Sequence, residues 1–184
     1  MSGKLLRSAM AAVILAASVS SASAGEGAPA GISIETVPMI LAPNNVPKDP
    51  GAVAKATLAG VDSNHNGIRD DAERWIAENF PECARFRAAL AQVAFVVQKK
   101  ITLPEVTGAL KEEVGAEEGA ATACFAASFD SCSSASFEKF IQFSILLQDT
   151  PERAKAYGRI PVKIRQTTST AADPCVIPAA QLPN

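Results

Sequence analysis

The sequence predicts an all-α protein, a small bundle of four to five helices between an extended N-terminal arm and a C-terminal tail. Three observations lead to this prediction. Apolar residues recur at helical spacing in several segments between residues 52 and 160. No alternating strand pattern extends beyond Val162-Lys163-Ile164. Proline is frequent near both ends of the chain, where it disrupts helix interiors.

The composition indicates one folded domain. The chain has 184 residues, of which 48% are hydrophobic and 20% are charged, so it can build one buried core. Lys and Arg number 17 against 19 Asp and Glu, which leaves a net charge of −2. This balance excludes a nucleic-acid binder that works by neutralising phosphates.

The first 24 residues contain the three parts of a secretory signal peptide. Lys4 and Arg7 form the positive part, residues 9–17 form the apolar run, and Ala22-Ser23-Ala24 has the small residues of a cleavage site. The run is shorter than the roughly 20 residues that span a bilayer, and no later segment is long and apolar enough to do so. We therefore expect cleavage after Ala24, no membrane span, and a periplasmic or secreted protein.

An extended arm is predicted for residues 25–51, which are rich in Pro, Gly, Ala and Asn. The helical domain is assigned to residues 52–160. Its first segment, 52–59, is expected to form two helical turns that end at Gly60. A polar loop then occupies residues 62–73.

Three predicted helices follow this loop. Asp70 and Glu73 form a D-x-x-E variant of the capping box at the start of the first helix. The second, residues 82–100, has one apolar face, formed by Phe86, Leu90, Val93 and Val97. A further capping box is expected at Thr102 and Glu105. Glycines at positions 115 and 119 then predict a kink, or two short helices at 103–113 and 117–128.

The last two helices lie at 137–148 and after Thr150. The first is apolar over a wide arc around Phe137, Ile141 and Ile145, so we expect it to be the most buried helix. Thr150 is the expected N-cap of a short helix that ends near Gly158. Residues 161–184 are predicted to form the tail, which carries Cys175.

The loop at 62–73 matches the calcium-binding pattern D-x-[DN]-x-[DN]-G-x5-E at every specified position. Calcium takes about six to eight oxygen ligands, and alternate residues of such a loop direct their oxygens toward one point. Gly67 supplies the positive φ of the sharp turn. The predicted calcium ligands are Asp62, Asn64, Asn66, the backbone carbonyl of Ile68, Asp70 and Glu73.

Two features distinguish this loop from a paired EF-hand. Position eight is Arg69 instead of an apolar residue, and the sequence contains no second loop. Gly60 also argues against a full incoming helix. We therefore expect a solitary EF-hand-like loop with a structural Ca²⁺ and without the opening of a paired sensor. His65 is expected to be exposed, and magnesium is the weaker metal alternative.

Four cysteines, at positions 83, 124, 132 and 175, predict two disulfides in an exported chain. Four cysteines allow three pairings. The spacings include no C-x-x-C, which argues against a zinc site or a redox-active pair.

The stretch from Thr57 through Glu73 resembles a group of uncharacterised exported bacterial proteins in which a D-x-N-x-N-G-[IV]-R-D-D-x-E loop opens a helical domain. The stretch from Thr150 to Tyr157 resembles a second motif of that group, T-x-E-R-x-x-A-Y. The resemblance implies calcium binding and no known activity. It also implies a Cys124–Cys175 disulfide, which leaves Cys83–Cys132; Cys83–Cys124 with Cys132–Cys175 is the alternative.

Three functions remain open from the sequence. The favoured one is an exported helical module whose partner is a structural calcium ion, with an unknown protein partner. The second is a metal-free helical binding domain in which residues 62–73 form only a turn and a helix cap. An exported hydrolase is the least favoured, because the chain has no G-x-S-x-G, no H-E-x-x-H and a single His. We therefore predict that the protein is not an enzyme and has no catalytic residues.

Overall fold

The computed structural model describes residues 46–163 and Cys175, and this part of the chain contains no strand. It contains two short 3₁₀ helices, Gly51–Lys55 and Phe129–Ser131. Its five α-helices are α1 (Asp70–Asn79), α2 (Ala84–Thr102), α3 (Gly108–Ala127), α4 (Phe137–Leu147) and α5 (Pro151–Tyr157). The all-α prediction is confirmed.

Several predictions fall on other parts of the chain. The predicted signal peptide, residues 25–45 of the arm and nearly all of the tail lie outside the described residues. Within the described ranges, the helices are all too short or too polar to cross a membrane.

The central helix of the bundle is α2, which contacts α1, α3, α4 and α5. Its predicted apolar face is buried, and so is its other side, where small side chains let the neighbouring helices approach. The buried small residues are Ala88, Ala89, Ala91 and Ala94. For this reason α2 is buried around its whole circumference over most of its length.

The expectation that residues 137–148 form the most buried helix is wrong. In α4, Phe137 is 71% exposed and Ile145 is 63% exposed. Only Phe143 and Leu147 of this helix are buried. The apolar arc is wide, but the bundle covers one side of it, because α2 and not α4 occupies the centre.

The predicted break between residues 102 and 128 is also wrong. The hydroxyl of Thr102 donates to the carbonyl of Gln98 at 2.8 Å, so Thr102 ends α2 and does not cap a new helix. The next N-cap is Thr107, whose side chain accepts from the amide of Leu110 at 3.3 Å. From there α3 runs without interruption through both glycines.

Gly115 has a packing role in α3. A Cβ atom at this position would lie 2.7 Å from the carbonyl oxygen of Pro161. The carbonyl of Gly115 accepts a hydrogen bond from the amide of Lys163 at 3.0 Å. The absence of a side chain therefore lets the chain that follows α5 pack directly against α3.

The ends of the helices differ from the expectations in two more places. The segment before the loop at 62–73 forms the 3₁₀ helix Gly51–Lys55 and not two turns over 52–59. The N-cap of α1 is Arg69, which makes no side-chain capping bond. The predicted capping box is absent from α1 because the carboxylates of Asp70 and Glu73 are directed to the loop. At α5 the Thr150 cap is present, and its hydroxyl accepts from the amide of Arg153.

Two disulfides tie the bundle. Cys83, before α2, is bonded to Cys132, which follows the second 3₁₀ helix. Cys124 in α3 is bonded to Cys175 in the tail. This is the pairing that the resemblance implies.

Candidate metal centre

The loop at 62–73 closes on itself through hydrogen bonds from its own backbone amides. The carboxylate of Asp62 accepts from the amides of Asn66 and Gly67 at 3.2 and 2.9 Å. The side-chain oxygen of Asn66 accepts from the amide of Ile68 at 2.8 Å. Gly67 has a φ of 84°, as the sequence predicts. These bonds fix the sharp curvature of the loop.

Glu73 is the buried carboxylate of the site, with only 2% of its surface exposed. The side-chain amide of Asn66 donates to Oε1 at 2.6 Å, and that of Asn64 lies 3.3 and 3.2 Å from Oε1 and Oε2. Burial raises the pKa of Glu73 to about 7; the two amides lower it, and the Asp70 and Asp62 carboxylates raise it. Ionised Glu73 is thus poorly compensated, and a nearby cation would remove that penalty.

The predicted ligands are brought together only in part. Asn64, Asn66 and Glu73 are in direct contact, whereas Asp62 faces loop amides and Asp70 accepts from the amide of Ser63 at 2.9 Å. Among the described residues, no three His, Cys, Asp or Glu side chains converge closely enough to hold a metal ion. The chemistry of the donor set nevertheless fits calcium, because carboxylate, amide and carbonyl oxygens are the ligands of a hard cation.

Two loop residues face opposite environments. Ile68 has a fully buried side chain that joins the hydrophobic core. His65 is exposed, as expected for position four, and has a φ of 57°. The loop is therefore anchored to the core at one side and open to solvent at the other.

Arg69, at position eight, is the residue whose role the sequence did not reveal. Its side chain is 1% exposed, and Nε donates to Asp71 Oδ1 at 3.0 Å. Nη2 donates to the carbonyl of Leu146 at 2.9 Å, and Nη1 lies 3.6 Å from Asp149 Oδ1. Burial lowers the pKa of Arg69, an effect that Asp71 and Asp149 oppose and Arg153 reinforces. An arginine at position eight is unusual in such a loop, but the sequence does not show that its partners are Leu146 and Asp149, about 80 residues away.

Arg153 continues this contact to the other side of the loop. It is fully buried, and Nη1 donates to Asp149 Oδ1 at 2.6 Å. Its remaining donors bind carbonyls of the segment before the loop, those of Ala54, Thr57 and Leu58. We call Arg69, Asp71, Asp149 and Arg153 the arginine cluster. The sequence signal for one member of the cluster is the T-x-E-R-x-x-A-Y motif, which contains Arg153.

A second buried polar cluster lies between α2, α3 and α5. Lys100 is fully buried, and its Nζ donates to Glu118 Oε2 at 2.6 Å. The hydroxyl of Tyr157 donates to Glu118 Oε1 at 2.6 Å, and Lys100 Nζ lies 3.5 Å from the centre of the Tyr157 ring. Burial raises the pKa of Tyr157, and so does the Glu118 carboxylate, so the phenol remains a donor. This cluster joins three helices through an ion pair between α2 and α3 and a hydrogen bond from α5.

The loop therefore offers the chemistry of cation binding, and the arginine cluster fixes the loop to the bundle. Comparison with known proteins adds no further assignment. No family model matches the chain, and no curated protein and no solved structure matches it either.

Proposed function

We propose that residues 62–73 bind one calcium ion and that the ion plays a structural role in an exported helical module. The observation that carries the proposal is the buried Glu73 carboxylate, which the described structure compensates with two amides only. Glu73 is also the last position of a complete ligand pattern.

The residues that would hold the ion are Asp62, Asn64, Asn66, Asp70, Glu73 and the carbonyl of Ile68. A bound calcium ion would supply positive charge to the carboxylates of Asp62, Asp70 and Glu73. Ionised carboxylates near one another repel, and the repulsion increases where burial excludes water. The ion would remove this repulsion and so stabilise the loop and the start of α1. We expect an affinity on the order of 10⁻⁵ to 10⁻³ M, which is typical of extracellular calcium modules.

Export is part of the proposal. Two disulfides are formed in the structure, and such bonds persist mainly in oxidising compartments such as the periplasm or the extracellular space. Calcium is plentiful outside cells, so a site of modest affinity would be occupied there. The proposal includes no catalytic residue.

The test is a calorimetric calcium titration of the full chain after dialysis against a chelator. Glu73→Gln removes the charge of the proposed bidentate ligand. Glu78→Gln is the matched control, because Glu78 is an exposed acid on the same helix that pairs with Arg74. We expect one saturable ion for the wild type and for Glu78→Gln, with binding at least about tenfold weaker in Glu73→Gln. A wild type with no binding heat and no calcium-dependent change in melting temperature would refute the proposal.

The metal-free binding domain remains the second candidate, because one observation favours it. The loop already makes its own hydrogen bonds, including the contacts of Asn64 and Asn66 with Glu73. In that case the melting temperature is the same with calcium and with chelator, and Asp62→Ala destabilises the protein equally in both. The calcium proposal requires instead that Asp62→Ala abolish a calcium-induced rise in melting temperature.

A further inference from the structure

We propose that packing of the loop at 62–73 against the turn between α4 and α5 strengthens calcium binding by the loop. Arg69, Asp149 and Arg153 connect the loop to this turn. This inference rests on the proposed function, since it concerns the affinity of the same site. In this view Asp149 is a positioning residue: it binds no calcium itself, but its charge holds the loop in the shape that binds.

The first step of the argument is the location of Arg69 in the chain. It lies between Ile68 and Asp70, two of the proposed ligands. Its side chain is buried and donates to the carbonyl of Leu146, at the end of α4. Because adjacent residues share the backbone, the position of this side chain constrains the two ligands beside it.

The second step is that the opposite flank of the loop is held by the same cluster. Arg153 donates to the carbonyls of Thr57 and Leu58, at 2.9 and 3.1 Å. Gly60 lies against both arginines: a Cβ there would be 2.7 Å from Arg69 Cδ and 2.9 Å from Arg153 Nη2. The segments before and after the loop are therefore fixed to one another through two arginine side chains.

The third step is the charge that joins these arginines. Asp149 Oδ1 accepts from Arg153 Nη1 at 2.6 Å and lies 3.6 Å from Arg69 Nη1. Arg69 Nη1 makes no hydrogen bond to any described residue, so its pairing with Asp149 is ionic. Without the carboxylate, two buried guanidinium groups would repel each other. Loss of the charge is thus expected to loosen both flanks of the loop at once.

Calcium and the turn are then linked thermodynamically. If packing of the turn stabilises the loop conformation that binds calcium, bound calcium must stabilise the packed turn by the same free energy, because coupling between two sites is reciprocal. Both directions can be measured.

The first experiment is calcium titration by calorimetry of the wild type, Asp149→Asn, Asp149→Glu and Glu118→Gln. Glu118→Gln breaks the buried pair with Lys100 and is the control for general loss of stability. We expect a dissociation constant about tenfold higher in Asp149→Asn, partial recovery in Asp149→Glu, and no change in Glu118→Gln. A wild type that does not bind calcium refutes the proposed function. A wild type that binds, with Asp149→Asn binding equally well, refutes the coupling alone.

The second experiment needs no variant, so it remains decisive if Asp149→Asn does not fold. Amide hydrogen exchange of the wild-type protein is followed with calcium and with chelator. We expect calcium to slow exchange in residues 62–73 and also in α5, with no change at the Phe129–Ser131 turn. Slowing in the loop that does not extend to α5 would overturn the coupling, whereas no slowing anywhere would overturn calcium binding itself.

Discussion

Asp149 lies between two buried arginines, and its ionised form stabilises the fold. Burial alone raises the pKa of this carboxyl. Hydrogen bonds from Arg153 and Lys55, together with the charges of Arg69 and Arg153, outweigh burial and hold the pKa below its ordinary value of 3.8. Such a group contributes stability above its ordinary pKa and loses that contribution as the pH falls through its folded pKa. We therefore expect the free energy of unfolding of Asp149→Asn to fall less than that of the wild type when the pH is lowered below about 4. The measurement is the midpoint of urea unfolding between about pH 2 and 7, in the presence of chelator.

The control for this prediction is Asp130→Asn, at an exposed position in the second 3₁₀ helix. It is expected to keep the wild-type pH profile. At neutral pH, Asp149→Asn is also expected to lower the free energy of unfolding by about 3 kcal/mol, because it leaves buried guanidinium charge unpaired. An acid profile of Asp149→Asn parallel to that of the wild type would contradict the assignment.

Gly60 leaves the space that the side chains of Arg69 and Arg153 occupy in the arginine cluster. Its φ is +69°, and there is no room for a Cβ beside Arg69 and Arg153. Gly51 is a matched control, because its φ is +58° but nothing lies within 4 Å of a Cβ there. We expect Gly51→Ala to cost about 1 kcal/mol, from backbone strain alone, and Gly60→Ala to cost about 2–4 kcal/mol by urea unfolding. Equal losses in both variants would show that Gly60 is needed only for its backbone conformation.

Residue by residue, the sequence reveals local conformation better than distant contact. The positive φ of Gly67 follows from the loop pattern, and the structure confirms it. The role of Gly60 does not follow, because the sequence explains Gly60 as a helix end, whereas its environment is formed by Arg153, far along the chain. The ion pair between Arg69 and Asp149 cannot be predicted from the sequence for the same reason, because the two residues are far apart in the chain.

At the scale of the helices, α4 gives the clearest contrast between its two sides. Phe143 is fully buried and stacks on Trp75 with ring centres 5.0 Å apart, whereas Ile145 is 63% exposed. We expect Phe143→Ala to lower the free energy of unfolding by about 3–5 kcal/mol. Ile145→Ala is expected to change it by less than about 0.5 kcal/mol. Urea unfolding of the two variants measures the difference, and a large loss in Ile145→Ala would mean that another part of the chain or another molecule covers this face.

Helical periodicity identifies the elements more reliably than their neighbours. The spacing of Phe86, Leu90 and Val97 predicts α2, and Thr150 with Pro151 predicts the start of α5. Periodicity does not show how many other helices surround a given helix. For this reason the wide apolar arc of α4 predicts the most buried helix, whereas the alanine-rich α2 is the most buried in the structure. The sequence predicts that Gly115 weakens a helix, whereas the structure shows that the backbone of Pro161 lies too close for a side chain at this position.

For the whole molecule, we expect the two disulfides to be a major source of stability. They close loops with sequence separations of 49 and 51 residues. Loops of this length are each worth about 4 kcal/mol in the chain-entropy model. We expect Cys83→Ser with Cys132→Ser to lower the urea midpoint strongly, and Ser133→Ala, at an exposed position of the same turn, to leave it unchanged. An unchanged midpoint in the double cysteine variant would contradict this role.

The order of the cysteines along the chain, 83, 124, 132 and 175, means that the two disulfide loops overlap. A protease that cuts any single peptide bond between Cys83 and Cys175 therefore leaves two fragments that remain covalently joined. The loop at 62–73 precedes both disulfides, so a single cut there separates the chain into two pieces under non-reducing, denaturing conditions. On a non-reducing gel, a single cut within the loop at 62–73 thus appears as a released fragment, while a single cut between the outermost cysteines releases none.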